Sequence, residues 1–137
     1  MTVIERDDAT LRRLFETTRT IAVVGLSPKP NRPSHQVARY MQQAGYRILP
    51  VRPAVESILG EPAYPSLADL PEVPDLVDVF RAPEHVPEVV DACIALGVPA
   101  LWLQEGVVHE EAAARAQAAG LTVVMDLCLL KEHARLC

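Results

Sequence analysis

The sequence predicts an α/β fold in which a mostly parallel, five-stranded sheet has helices on both faces. Short apolar runs alternate along the chain with amphipathic stretches of about ten residues, which is the pattern of repeated βαβ units. The first run, residues 21–24, is short, apolar and rich in β-branched residues, as expected of a strand that is buried on both faces. The predicted strands are residues 21–24, 46–51, 76–80, 100–103 and 121–125, and the predicted helices are residues 8–17, 34–44, 83–96, 110–119 and 129–136.

The first two helices are predicted from apolar residues at helical spacing and from signals at their ends. Asp8 opens the first helix, where a negative charge meets the positive end of the helix dipole. Ser34 is the predicted N-cap of the second, because its side-chain oxygen can accept a hydrogen bond from an unpaired first-turn N–H. Gly45 is the predicted end of that helix.

Proline and glycine set the boundaries of the later elements. Pro53 turns the chain away after the second strand. Residues 55–64 are predicted as turns or a short edge strand, and residues 66–69 as one capped helical turn. Gly97 is the predicted end of the third helix, and Asp126 is predicted to cap the terminal helix.

Length and composition predict one domain, residues 1–137, in a cytoplasmic protein. Half of the 137 residues are apolar, which is enough for a sizeable core. The net charge of −5 comes from both signs scattered along the chain, so neither a nucleic-acid nor a membrane-surface partner is predicted. No apolar stretch resembles a signal peptide or a membrane span.

The cysteines and histidines do not predict a metal site or a disulfide framework. The cysteines are odd in number and show no C-x-x-C spacing, and no two histidines stand four residues apart. His35 is interpreted as exposed at a helix start, although it could donate to a phosphate, and the other histidines as solvated. Trp102, inside a strand, is interpreted as core rather than as a stacking platform. The residues concerned are Cys93, Cys128 and Cys137, and His35, His85, His109 and His133.

Residues 21–34 have the local build of a phosphate site. A buried strand ends at Gly25, a basic and proline-rich loop follows, and a helix begins. Free N–H groups and the helix dipole attract an anion to such a helix start. Gly25 stands alone, so neither the G-x-G-x-x-G fingerprint nor the P-loop pattern is present. An ordinary strand-to-helix loop with basic residues by chance remains the alternative.

Basic residues also follow the next two strands, where ligands of parallel α/β sheets bind. An enzyme for NAD would carry Asp or Glu after the second strand, to bond the ribose hydroxyls. Arg52 stands there instead and favours a ligand with a phosphate on its ribose, such as NADP or coenzyme A. Arg81 follows the third strand and Gln104-Glu105-Gly106 the fourth. Solvated arginines and a plain turn are the alternatives for these positions.

The sequence shows no nucleophile, base and acid set, so an enzymatic activity stays undecided. Ser27 lacks the G-x-S-x-G elbow that exposes a nucleophilic serine. Glu110 and Glu111 stand at a helix start, where the dipole alone accounts for them.

Several motifs resemble those of the small stand-alone CoA-binding proteins. They are the segments 23–34, 45–53, 77–83, 102–106 and 124–128, which occur here in the family's order, and the resemblance extends over nearly the whole chain. This family is similar to the N-terminal CoA-binding domain of the succinyl-CoA synthetase α subunit, so the resemblance implies a Rossmann-like three-layer fold.

The resemblance also implies which residues bind the nucleotide. Residues 25–27 and their loop would hold the CoA pyrophosphate, and residues 51–53 and 104–106 would line the nucleotide. Family members often carry a polar residue at the position of Arg52 and an arginine at that of Leu127. The predicted binding residues are Gly25, Leu26, Ser27, Pro28, Lys29, Arg32, Ser34, Val51, Arg52, Pro53, Phe80, Arg81, Gln104, Glu105 and Gly106.

The expected function is therefore binding of coenzyme A or an acyl-CoA by a module without chemistry of its own. A small NADP-dependent oxidoreductase, or its remnant, is the alternative, since Arg52 fits that ligand equally well. A regulatory or scaffolding protein whose pocket is empty in the cell is a third possible function. The expected partner is a small molecule, and the sequence leaves a protein partner or a homodimer open.

Overall fold

A computed structural model describes residues 6–137. The strands of these residues are β1 (Thr20–Val24), β2 (Arg47–Val51), β3 (Ser57–Ile58), β4 (Glu61–Pro62), β5 (Leu76–Val79), β6 (Ala100–Leu103) and β7 (Thr122–Met125). Five of these described strands form a parallel main sheet in the order β2-β1-β5-β6-β7, and β3 and β4 form a separate two-stranded antiparallel pair.

Helices cover the two faces of this sheet. The α-helices within residues 6–137 are α1 (Asp8–Thr17), α2 (Pro33–Gln43), α3 (Val86–Leu96), α4 (Glu110–Ala118) and α5 (Leu129–Leu136), and Leu67–Asp69 and Pro83–His85 form short 3-10 turns. Apolar side chains of α1, α2 and α5 pack on one face, and those of α3 and α4 on the other.

The predicted α/β class is confirmed, and so is each predicted element of the main sheet and its helices. The boundaries differ by one residue at most, except in α3, whose predicted first turn is the 3-10 turn Pro83–His85. Residues 55–64, predicted as turns or a short edge strand, contain the β3–β4 pair, which is separate from the main sheet. The helical turn predicted at residues 66–69 is the 3-10 turn Leu67–Asp69, although Ser66 makes no side-chain capping hydrogen bond there.

Burial of the sheet on both faces explains the apolar strands. The four residues of β5 and the four of β6 are all buried. Trp102 in β6 is fully buried, as predicted, and its indole N–H donates to the carbonyl oxygen of Leu127 at 2.8 Å. No helix within residues 6–137 is long and apolar enough to cross a membrane.

The strand order creates a crevice at the carboxyl ends of β1 and β5. The chain passes from β1 to β2 on one side, and then crosses over to β5 on the other side of β1. Helices that follow the two central strands therefore lie on opposite faces and leave a gap between the loops. This is the Rossmann-like three-layer arrangement, and most of the predicted binding residues lie at this crevice.

Candidate functional site

Gly25 allows the chain to leave β1 close against β5. Its φ is +84°, and its backbone N–H donates to the carbonyl oxygen of Val51 at 3.0 Å. A Cβ at this position would fall inside van der Waals contact of the carbonyl oxygen of Phe80 and 3.1 Å from Cδ of Arg81. The absence of a side chain is therefore required by the packing of the two strands as well as by the turn.

The loop between β1 and α2 is fastened to the first turn of the helix. Oγ of Ser34 accepts a hydrogen bond from the backbone nitrogen of Ser27 at 3.0 Å. Nδ1 of His35 lies 2.9 Å from the carbonyl oxygen of Ser27, so both backbone polar groups of this residue are paired. Oγ of Ser27 in turn accepts from the backbone nitrogen of Lys29 at 3.1 Å.

Two sequence predictions at this helix start are wrong. The N-cap is Arg32, with Pro33 in the first helical position, and Ser34 lies inside the helix. His35 is buried, with 7% of its surface exposed, rather than solvated. Both side chains turn back to the loop because its unpaired backbone groups need partners away from water.

A cavity of about 380 Å³ opens above this loop. Three of its side chains, Lys29, Arg32 and Arg52, are cationic, and none is acidic. Lys29 and Arg32 are exposed and Arg52 is half-buried, with Nη1 3.4 Å from the carbonyl oxygen of Leu26. The cavity is lined by Gly25, Ser27, Pro28, Lys29, Arg32, Pro33, Ser34, Arg52 and Phe80. We call it the basic cavity.

Two further cavities adjoin the basic cavity along the carboxyl edge of the sheet, as their shared lining residues show. The middle cavity, about 380 Å³, shares Gly25 and Arg52 with it and adds Pro53 and Arg81. A third cavity, about 310 Å³, shares Val24, Val51, Pro65 and Arg81 with the middle one and reaches α3. We call the three together the groove.

Gln104, Glu105 and Gly106 are not among the residues that line this groove. Oε1 of Gln104, which is buried, accepts from the backbone nitrogen of Leu129 at 3.1 Å and so caps α5. Glu105 forms an ion pair with Lys131 at 2.9 Å. The N–H of Gly106 donates to Oδ1 of Asp126 at 2.8 Å.

Asp126 therefore does not cap the terminal helix, and that prediction is wrong. Its carboxylate holds the turn after β6, while the amide oxygen of Gln104 takes the first N–H of α5. Gln104 can cap α5 in place of Asp126 because β6 and β7 are neighbours and their carboxyl ends lie side by side.

The interpretation of the other histidines as solvated is wrong for His133. Its ring lies 5.1 to 5.7 Å from the ring centroids of Phe15, Tyr40 and Tyr46, and burial lowers its pKa. Nδ1 of His109 accepts from the backbone nitrogen of Ala112 at 3.1 Å and caps α4. Nδ1 of His85 lies 3.1 Å from a carboxylate oxygen of Glu88. None of the three lines the groove.

Asp78 is a buried acid that the sequence interpretation missed. It lies in β5 between Val23 and Trp102 of the neighbouring strands. It is fully buried, and neither carboxyl oxygen has a hydrogen-bond partner within residues 6–137. Burial disfavours the charged form and raises the pKa of this carboxyl well above its usual range. Its signal was an acidic residue in the middle of an apolar strand.

The fold and the groove define a class of protein. It is a Rossmann-like α/β protein with a basic cavity where the first strand meets the helix after it, at the reversal of strand order.

Comparison with known families assigns the chain within that class. Residues 19–134 match the model of the CoA binding domain, and the chain belongs to this family. YneT of Bacillus subtilis is 41% identical over 126 residues, which are 92% of this chain and 93% of that protein. The solved structure of cell-free ID.343 from Thermus thermophilus has a TM-score of 0.92 at 41% identity and covers 96% of this chain and 100% of that one.

A larger protein contains a similar fold. The dinucleotide-forming acetyl-coenzyme A synthetase 1 of Ca. Korarchaeum cryptofilum, in its apo form, matches with a TM-score of 0.70 and 27% identity. The match covers 82% of this chain and 27% of that chain.

Proposed function

We propose that this protein binds coenzyme A or an acyl-CoA in the groove at the carboxyl ends of β1, β2 and β5. Membership of the CoA binding domain family supports a CoA-binding role. Its matched fold also occurs in a protein described as an acetyl-coenzyme A synthetase. We also propose that the predicted binding residues which line the groove contact the nucleotide, and that residues 1–137 form a single domain.

The observation that carries the proposed site is the position of Arg52. This side chain lines both the basic and the middle cavity. Coenzyme A carries a pyrophosphate and a separate ribose phosphate, so it needs cations at more than one point. Lys29 and Arg32 stand beside the start of α2, where free N–H groups also favour an anion. Arg52 and Arg81 stand one cavity further along, at a position suited to the second phosphate.

We further propose that the protein binds its ligand without transforming it. The basic cavity, as described, is lined by no histidine and no carboxylate that could act as a base. Its two serine oxygens each accept a hydrogen bond from the loop backbone, which supports a structural role for both. The proposed partner is thus a small molecule that is stored, sensed or presented.

Titration calorimetry with four ligands tests this function. If cationic side chains read the ribose phosphate, CoA binds roughly ten- to a hundredfold more tightly than dephospho-CoA, since a charge-assisted contact contributes about 1.5–3 kcal/mol. NADP, the ligand of the alternative oxidoreductase, is compared with NAD in the same way. Equal affinity for CoA and dephospho-CoA would contradict the proposed role of the arginines. Preference for NADP over CoA would favour the oxidoreductase.

A further inference from the structure

The groove holds one acidic side chain among the residues that the structure describes, Glu88 in the first turn of α3. It lines the third cavity together with Arg81. The other charged side chains that line the groove are all cationic, and they are Lys29, Arg32, Arg52 and Arg81. A carboxylate at this position opposes the binding of a phosphate nearby.

Arg81 stands between Glu88 and the proposed position of the ribose phosphate. Nη2 of Arg81 lies 4.0 Å from Oε1 of Glu88, which is too long for a hydrogen bond. The two side chains are 37% and 67% exposed, so the pair is weak. Arg81 also lines the middle cavity, where Arg52 stands. Its guanidinium can therefore be drawn either to the carboxylate or to a phosphate in the middle cavity.

The stem of Arg81 is placed by the packing of the strands, while its charged end is held loosely. A Cβ built on Gly25 would stand 3.1 Å from Cδ of Arg81, so the stem lies against the turn after β1. Only the guanidinium beyond Cδ has to turn when Arg81 exchanges one anion for another. A guanidinium presents a flat fork of N–H donors that matches a phosphate, and such charge-assisted hydrogen bonds are stronger than the 4.0 Å contact.

Glu88 has a second partner that remains when Arg81 turns away. Nδ1 of His85 lies 3.1 Å from the same carboxylate oxygen, Oε1 of Glu88. The side chain of Glu88 is also exposed to water. A charge left without a partner or water would cost free energy, and this exchange leaves none.

We propose that Glu88 competes with the ribose phosphate of CoA for Arg81 and thereby lowers the affinity of the protein for its own ligand. This inference rests on the proposed function and adds a residue that regulates the same site. In the free protein the guanidinium is paired with Glu88. A ligand with a phosphate on its ribose takes the guanidinium over, whereas dephospho-CoA leaves it with Glu88. The ion pair is thus an autoinhibitory contact that the ribose phosphate breaks.

Titration calorimetry of Glu88→Gln with CoA and with dephospho-CoA, in low salt, tests the inference. Loss of the competing carboxylate should raise the affinity for CoA roughly two- to fivefold, the range of an exposed ion pair, and leave the affinity for dephospho-CoA unchanged. Glu84→Gln, at an exposed position of the 3-10 turn before α3, removes the same charge and should bind both ligands as the wild type does. An equal gain in the two variants, or no gain in Glu88→Gln, would overturn the inference.

A double-mutant cycle separates competition for Arg81 from direct repulsion of the phosphate by Glu88. In an Arg81→Gln background no guanidinium is shared, so Glu88→Gln should no longer raise the affinity for CoA. Lys29, Arg32 and Arg52 remain there to bind the ligand. A gain as large as in the wild-type background would show direct repulsion and overturn the inference alone. Failure of the wild-type protein to bind CoA would instead overturn the proposed function.

Discussion

Oγ of Ser34 accepts a hydrogen bond from the backbone nitrogen of Ser27, 3.0 Å away, and ties the first turn of α2 to the loop after β1. His35 pairs with the carbonyl oxygen of the same Ser27. Both polar groups of this peptide segment are thus held by the helix that follows. These hydrogen bonds hold the loop of the basic cavity through groups of the chain itself, and a loop that is already ordered has a lower ordering cost on binding.

Ser34→Ala should loosen this loop. The N–H of Ser27 loses its partner in a part-buried position, which costs about 1–3 kcal/mol. We expect a lower free energy of unfolding in urea and weaker CoA binding by calorimetry. Ser57→Ala, at an exposed position of β3, is the control and should change neither quantity. A Ser34→Ala protein with both quantities unchanged would show that the hydrogen bond is not needed.

Gly25→Ala should destabilise the fold itself. The new Cβ would meet the carbonyl oxygen of Phe80, and the φ of +84° disfavours a side chain. Gly97→Ala is the control, because Gly97 has a φ of +75° and open space where its Cβ would stand. The control should lose about 1–2 kcal/mol from the strained φ alone. Gly25→Ala should lose distinctly more in the same thermal or urea unfolding, and equal losses would argue against the clash.

Arg52→Gln should reduce the preference for CoA over dephospho-CoA. Without the guanidinium, the ribose phosphate loses a charge-assisted contact, so the ratio of the two affinities falls roughly tenfold. Arg39→Gln removes the same charge from an exposed position of α2 and controls for the overall charge. If the ratio of affinities is the same in all three proteins, Arg52 is a solvated edge charge.

Asp78→Asn should change how stability depends on pH. The folded-state pKa of Asp78 is raised above its unfolded value of about 3.9, so protonation stabilises the fold below that value. This contribution is lost as pH rises through the folded pKa, by up to about 1.4 kcal/mol per pH unit. Asparagine does not titrate, so the Asp78→Asn variant loses no free energy of unfolding at this position as pH rises.

The free energy of unfolding of both proteins, measured in urea from pH 4 upward, checks this prediction. The difference between Asp78→Asn and the wild type should shift in favour of the variant as pH rises. Parallel pH profiles for the two proteins would mean that a partner compensates the buried carboxyl.

The three cysteines should differ sharply in reactivity. Cys93 is fully buried, and burial raises its pKa to about 12, so very little thiolate forms. Cys137 is exposed and Cys128 is half-buried. Mass spectrometry after brief alkylation of the native protein should find Cys137 labelled first, and Cys93 only in denaturant. Early labelling of Cys93 would contradict its place in the core.

The sequence by itself determined the fold class and its order of elements. Apolar runs and amphipathic stretches report burial directly, since each strand and helix must hide its apolar side whatever its neighbours are. The basic loop and Arg52 could also be predicted as site residues from the sequence. Charged residues directly after buried strands lie at the edge of the sheet where parallel α/β proteins bind ligands.

Only the tertiary structure decided what individual polar side chains contact. Ser34 and His35 turn to the loop rather than to the helix end, and Gln104 takes the capping role expected of Asp126. The third cavity of the groove is likewise lined by residues of β1, β2, the turn after Ser66 and α3, which are distant in sequence. Hydrogen bonds and cavities depend on which groups the packing brings within a few ångströms of each other. Local sequence patterns do not indicate the distance between groups that are far apart in the chain.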